Sequence, residues 1–180
     1  IGVVFWHFFY LLLVFVFFSP LEKLENGTAL IAFSRAEVLK LKQKLQKKYS
    51  VSVIYGNLSP EVRRDEARRF RDGQSQILIA TDAISMGLNL PIKTILFTTD
   101  TKFDGVSKRK ISVNEIVQIA GRAGRFGLFE AGYLGATRRD VLEYIKEEFE
   151  APIKTIKPPF KVKINNSQLE NLSMHLKTKS

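Results

Sequence analysis

Gln118, Arg122 and Arg125 stand at i, i+4 and i+7, which on a helix turning about 100° per residue places them within roughly a 60° sector. Val113, Ile116, Val117 and Ala120 fall on the opposite side. The spacing predicts a helix from about Val113 to Arg125 that buries one face and presents two guanidiniums and an amide on the other. Such a face can grip a chain of phosphates, because guanidinium forks match phosphate oxygens. Gly121 and Gly124 would each cost about 1 kcal/mol inside that helix relative to alanine. Their presence predicts close approach of another backbone or a ligand. Two arginines a turn apart would also suit a solvated face, and the glycines favour the phosphate reading.

A second group of chemical interest lies in Ile77-Leu-Ile-Ala-Thr-Asp-Ala-Ile-Ser-Met-Gly-Leu-Asn-Leu90. The apolar run ends at Ala80 as a strand would, so Thr81 and Asp82 bring a hydroxyl and a carboxylate to the following turn. Thr81 capping a helix, with Asp82 neutralising its amino end, accounts equally well for the pair taken alone. None of the 11 glycines is followed by lysine, so the chain carries no Gly-Lys-Ser/Thr phosphate loop. The acidic pair Asp65-Glu66 lies inside a charged helical pattern rather than at the end of an apolar strand, and its likeness to a magnesium motif is read as coincidence. The absence of cysteine and the presence of two histidines exclude disulfide scaffolds, thiol nucleophiles and ordinary thiolate or histidine metal centres.

The elements that must position these groups alternate in period. Thr28–Phe33, Val51–Tyr55, Gln76–Ala80, Thr94–Phe97 and Gly132–Gly135 read as short buried strands. Ala36–Lys48, Pro60–Asp72, Val113–Arg125 and Arg139–Phe149 read as helices. Strands separated by helices imply right-handed crossovers and a parallel sheet covered on both faces, so the fold class is α/β. Ligands of such sheets bind beyond the carboxyl ends of the strands. The 180 residues carry 28 lysines and arginines against 18 acids, a net charge of +10, which favours a polyanionic partner: nucleic acid or an anionic membrane surface.

The reading divides the chain into an apolar segment 1–19, an α/β domain 20–150, and a linker with the start of a further region over 151–180. Ile1–Phe18 carries no Lys, Arg, Asp or Glu; as a helix it would rise roughly 27 Å, the short limit for a membrane span. A buried segment of a larger protein, or a non-native start, would also account for that block. Pro158-Pro159 and Lys161-Val-Lys163 mark the linker, and Ser167–Leu176 reads as a short helix.

Four ordered strings resemble the second RecA-like domain of superfamily 2 helicases over about Thr28 to Gly135. Phe33-Ser34-Arg35 is similar to motif IV, and Tyr55-Gly-Asn-Leu-Ser-Pro-Glu-Val-Arg63 through Phe70 to the stretch after it. Ala80-Thr-Asp-Ala-Ile-Ser-Met-Gly87 is similar to motif V, and Gln118-Ile-Ala-Gly-Arg-Ala-Gly-Arg125 to motif VI. Gln118 and Met86 depart from the DEAD-box pattern, and Thr81–Leu90 most resembles RNA helicases of the mitochondrial degradosome type and their bacterial relatives. The resemblance implies a three-layer RecA-like domain and ATP with Mg, bound mainly by a first RecA-like domain. It implies Arg125 as the arginine finger, Arg122 as a neighbouring phosphate contact, Gln118 placing the nucleotide or its water, and Asp82 and Gly87 lining the nucleotide cleft. Ser34, Arg35 and Thr81 would hold the RNA backbone, with Arg63 adding electrostatic attraction. Implied partners are single-stranded RNA or an RNA duplex with an overhang, and an exoribonuclease. The expected location is cytoplasmic, with membrane association if Ile1–Phe18 spans a bilayer. A DNA-directed superfamily 2 translocase and a non-catalytic, membrane-tethered nucleic-acid-binding module remain alternatives.

Overall fold

Mostly apolar runs three to five residues long, too short for helices, make the strands of the sheet. The computed structural model describes residues 3–5, 14–85, 87–124, 129 and 131–150. Its strands are β1 (Val3–Phe5), β2 (Val14–Phe18), β3 (Thr28–Ile31), β4 (Val51–Ile54), β5 (Ile77–Ala80), β6 (Thr94–Phe97), β7 (Thr101–Phe103), β8 (Lys108–Lys110) and β9 (Gly132–Ala136). Its helices are α1 (Arg35–Leu45), α2 (Pro60–Arg71), α3 (Val113–Ala120) and α4 (Arg139–Glu150). Seven strands form one sheet in the order β1-β2-β9-β6-β3-β5-β4. Every pairing in it is parallel except β1 with β2, so six strands end at a common carboxyl edge.

The period of two along each strand divides the core. Ala29, Ile31, Ile54, Leu78, Ala80, Ile95 and Phe97 pack on one face with Phe70 of α2, Ile116 and Ile119 of α3, and Val141 and Ile145 of α4. Leu30, Val51, Val53, Ile77, Ile79 and Leu96 face the other way, onto Val38 and Leu45 of α1. The result is the expected three-layer α/β domain. Serines start three helices: the hydroxyls of Ser34, Ser59 and Ser112 accept the N–H groups of Glu37, Val62 and Glu115, satisfying donors that have no partner within the helix.

Differences from the sequence reading are local. The expected helix over Val113–Arg125 stops at Ala120, where the N–H of Gly121 bonds Val117 O at 2.9 Å. Gly124 accounts for the stop. It adopts φ +63°, and a Cβ there would lie 2.2 Å from the backbone nitrogen of Gly132. The chain turns at Gly124 so that β9 can begin against it, and the Gly124 N–H bonds Ile92 O at 2.9 Å. The close approach expected of the two glycines is found at Gly124, where it belongs to a turn, and not at Gly121, where a Cβ would meet nothing nearer than Val117 O at 3.3 Å. Within the apolar block the described residues form strands over Val3–Phe5 and Val14–Phe18, the latter lying in the sheet beside β9 in a register that sets Val16 against Leu134. No helix among the described residues is long and apolar enough to cross a membrane. The helix expected over Ser167–Leu176 lies outside the described residues.

One donor on the free rim of β4 is satisfied by a side chain. Glu66 of α2 accepts the N–H of Val53 at 2.9 Å and meets Arg69 at 3.3 Å. Asp65 and Glu66 thus sit on a helix, as their charged helical pattern predicts.

Candidate functional site

At the carboxyl edge, the turns after β3 and β5 carry polar groups singled out in the sequence. After β3 come Phe33, Ser34 and Arg35. Ser34 Oγ accepts from Glu37 N and donates to Glu37 Oε2, both at 3.1 Å, and the Arg35 guanidinium lies 5.8 Å from the centre of the Tyr55 ring. After β5 the chain winds into a single 3-10 turn, Asp82–Ser85. Thr81 is buried; its N–H bonds Ile54 O, and its Oγ1 accepts Ala83 N at 3.3 Å. The capping role of Thr81 therefore holds. Gly87 is exposed at φ +65°, with open space where a Cβ would stand.

Arg63 turns back onto its own loop, donating to Gly56 O at 2.8 Å. Its neighbours on α2 pair locally, as expected of a solvated charged helix: Arg64 with Glu61, Arg68 with Asp65, and Arg69 with Glu66. Such exposed pairs contribute roughly 0–1 kcal/mol each.

The stripe expected on one helix is divided. Gln118 is exposed on α3, whereas Arg122 lies in the turn beyond it, half-buried, and donates to the carbonyl of Ser85. That bond ties the turn after α3 to the 3-10 turn after β5. Ile84, Leu88, Leu90, Ile92, Gly121 and Arg122 line a small cavity of about 140 Å³ at this junction. Arg125 lies outside the described residues, as does Met86.

The sequence reading missed the hairpin β7–β8, whose antiparallel register pairs Thr101 with Lys110. The signal was present: Asp104-Gly105 stands between two short runs, and Asp104 Oδ1 accepts the N–H groups of Val106 and Ser107, each at 2.9 Å. The hairpin delivers an ionic cluster. Lys102 Nζ lies 2.7 Å from Asp82 Oδ2 and 3.0 Å from Glu115 Oε1. Arg109 grips both oxygens of Glu115 at 2.8 and 2.9 Å. Burial alone would lower the pKa of Lys102, but its hydrogen bonds to Asp82 and Glu115 outweigh that and raise it.

Glu115 is held far below the ordinary carboxylate range, first by its hydrogen bonds with Arg109, against the opposing effect of burial, and then by those from Ser112 and Lys102. The folded state therefore binds the Glu115 proton less tightly than the unfolded state does. Its stabilisation is fully present above the ordinary glutamate value of 4.5 and is lost as the pH falls toward the depressed value. Denaturant unfolding followed from about pH 7 to about pH 3 should show wild-type stability falling more steeply than that of E115Q. Parallel curves would mean that Glu115 has the same proton affinity folded and unfolded.

The family described as Helicase conserved C-terminal domain matches residues 10–127, more than half of the chain, and the chain belongs to that family. Among curated proteins it is similar to the ATP-dependent RNA helicase SUV3, mitochondrial, of Candida albicans, 41% identical over 143 residues that make up 77% of this chain and 20% of that protein. The mitochondrial DExH-box ATP-dependent RNA helicase DExH16 of Arabidopsis thaliana is 39% identical over 74% of this chain and 24% of its own length. The chain thus spans about a fifth to a quarter of these relatives. Among solved structures, the C-terminal domain of the DEAD-box protein Dbp5 superposes with a TM-score of 0.56 at 19% identity, covering 71% of this chain and 72% of that one. Saccharomyces cerevisiae Dbp5 bound to RNA and ADP BeF3 gives 0.55 at 20% identity, over 69% of this chain and 32% of that one. These likenesses show the RecA-like fold expected from the motifs.

Proposed function

We propose that this domain is the second motor domain of a mitochondrial ATP-dependent RNA helicase of the SUV3 type, acting opposite a first RecA-like domain that holds most of ATP and its Mg. The observation that carries the reading is the joining of the turn after β5 to both ends of α3, by Arg122 of the turn beyond it on the Ser85 carbonyl and by Lys102 between Asp82 and Glu115 of its first turn. Both turns carry helicase motifs, and the relatives at 41% and 39% identity are named ATP-dependent RNA helicases. Those names also favour a mitochondrial location over the cytoplasmic one expected from the sequence.

In this reading Gln118, exposed beside the turn, and Arg122 and Arg125 form the domain's half of the nucleotide site. The donor set fits a phosphate chain, being an amide and two guanidiniums, with no carboxylate bound to Arg122 among the described residues. Bound ATP supplies the phosphoryl group whose transfer drives opening and closing of the interdomain cleft. Arg125 is the finger that offsets charge on that group, and Arg122 also fastens its own turn. Asp82 and Gly87 line the cleft through the turn after β5. Ser34, Arg35 and Thr81 lie at the ends of β3 and β5, where they form the RNA-backbone side, with Arg63 at its margin. Contacts of this kind are salt dependent and largely indifferent to sequence. Single-stranded RNA or an overhang is the substrate, and an exoribonuclease that consumes the released strand is the partner the SUV3 likeness favours.

The test is ATP hydrolysis by the whole protein with RNA or DNA as competing stimulators, alongside the isolated 180 residues. RNA should stimulate the whole protein more than DNA does, and the isolated chain should have no appreciable ATPase. Robust RNA-stimulated hydrolysis by the isolated chain would overturn the division of labour, and stronger stimulation by DNA would favour the DNA translocase.

A further inference from the structure

Lys102 belongs to none of the four helicase-like strings, yet its ammonium lies against residues of two of them and against the first turn of the helix on which a third begins. Beyond its bonds to Asp82, in the turn after β5, and Glu115, in the first turn of α3, Nζ lies 5.8 Å from the centre of the Phe33 ring, directly before Ser34. The side chain is 16% exposed. A lysine in such a place carries a desolvation cost that two carboxylates and an aromatic face must offset. It arrives on a hairpin of two three-residue strands, an element that is marginal without such attachments.

The two carboxylates depend on Lys102 unequally. Glu115 is saturated without it, because Arg109 grips both oxygens and Ser112 donates its N–H at 2.8 Å and its hydroxyl at 3.0 Å. Asp82 has no other ion-pair partner among the described residues. Removing the ammonium would leave the α3 end of the cluster intact and expose an unneutralised carboxylate beside Thr81. A phosphodiester approaching Thr81 and Ser34 would then meet net negative charge.

We propose that Lys102 is a positioning residue: it neutralises Asp82 and fixes the turn after β5 against α3, so that RNA engagement at Thr81 and Ser34 is transmitted to the arginine-bearing turn after α3. The inference rests on the proposed helicase function and assigns to a hairpin lysine the coupling between the two halves of that site.

The experiment compares K102M, K102Q and K102R with wild type in the whole protein, measuring ATP hydrolysis without RNA and across an RNA titration. For both K102M and K102Q the RNA concentration for half-maximal stimulation should rise about tenfold, as expected when an unneutralised carboxylate beside Thr81 meets the RNA backbone. Hydrolysis without RNA should fall by a clearly smaller factor than the response to RNA, because Glu115 and α3 remain held while Asp82 loses its counter-ion. K102R, which keeps the charge, should return the half-maximal RNA concentration to near the wild-type value. Equal losses with and without RNA, an unchanged RNA titration, or K102R as impaired as K102M would each overturn the proposal. A wild-type protein that RNA does not stimulate overturns the helicase reading itself, a result seen before any variant is compared.

Discussion

In the whole protein, replacing Arg125 with alanine is expected to lower ATP turnover by about 10³- to 10⁵-fold, the range an arginine finger contributes to phosphoryl transfer, while RNA affinity stays nearly intact. The expectation comes from chemistry and from neighbours. A guanidinium delivered to a dry cleft offsets charge that develops only as the phosphoryl group moves, so its loss falls on the chemical step rather than on ground-state binding. Arg122 is the contrast. Its guanidinium is committed to the Ser85 carbonyl, so R122A removes a structural tie between two turns as well as the proposed phosphate contact, and it should lower stability as well as turnover. Steady-state hydrolysis and RNA binding by fluorescence anisotropy, measured on the same preparation, check the assignment. Loss of RNA binding with normal hydrolysis would show that the roles of the two sides are reversed.

The second large effect is on folding. Gly124→Ala should destabilise the domain by on the order of 3–5 kcal/mol, combining a left-handed backbone conformation with a backbone collision. The φ of +63° and the 2.2 Å from a Cβ to Gly132 N leave nowhere for the methyl group unless the start of β9 moves. Gly121 is equally glycine and equally close to the arginines in sequence, but its φ is −63° and the nearest atom to a Cβ there is Val117 O at 3.3 Å. G121A should therefore change stability by less than about 1 kcal/mol. Thermal unfolding of the two variants separates the positions: G124A should melt on the order of 10 °C below wild type, and G121A close to it. Equal melting temperatures would mean that the turn at Gly124 yields easily.

Those two glycines show where sequence reasoning stops. Period-two strands such as Leu78-Ile79-Ala80 and helices with serine caps were legible, because local pattern and burial agree there. So were the polar groups of the carboxyl edge, once the strands were in parallel order. The end of α3 was not legible, because Gln118, Arg122 and Arg125 continue a helical spacing through a stop imposed by Gly132, a residue on another strand. The hairpin carrying Lys102 escaped for a related reason: its strands are three residues long and mostly charged, without the apolar alternation that marks a half-buried strand. Asp82 reads either as a helix-end carboxylate or as part of a nucleotide cleft, and its ion-pair partner, a cation 20 residues away in sequence, is not foreseen.

The Glu66 carboxylate on the Val53 amide has a consequence for the protein in a crowded compartment. A bare outer strand is a template on which a second molecule can extend the sheet, and repeated additions give fibrils. Here the donor that an incoming strand would seek at Val53 is already satisfied from within the same molecule, by a group whose negative charge also repels a peptide carbonyl. The rim of β4 is thus guarded against self-association at the point where four consecutive buried residues would otherwise invite it.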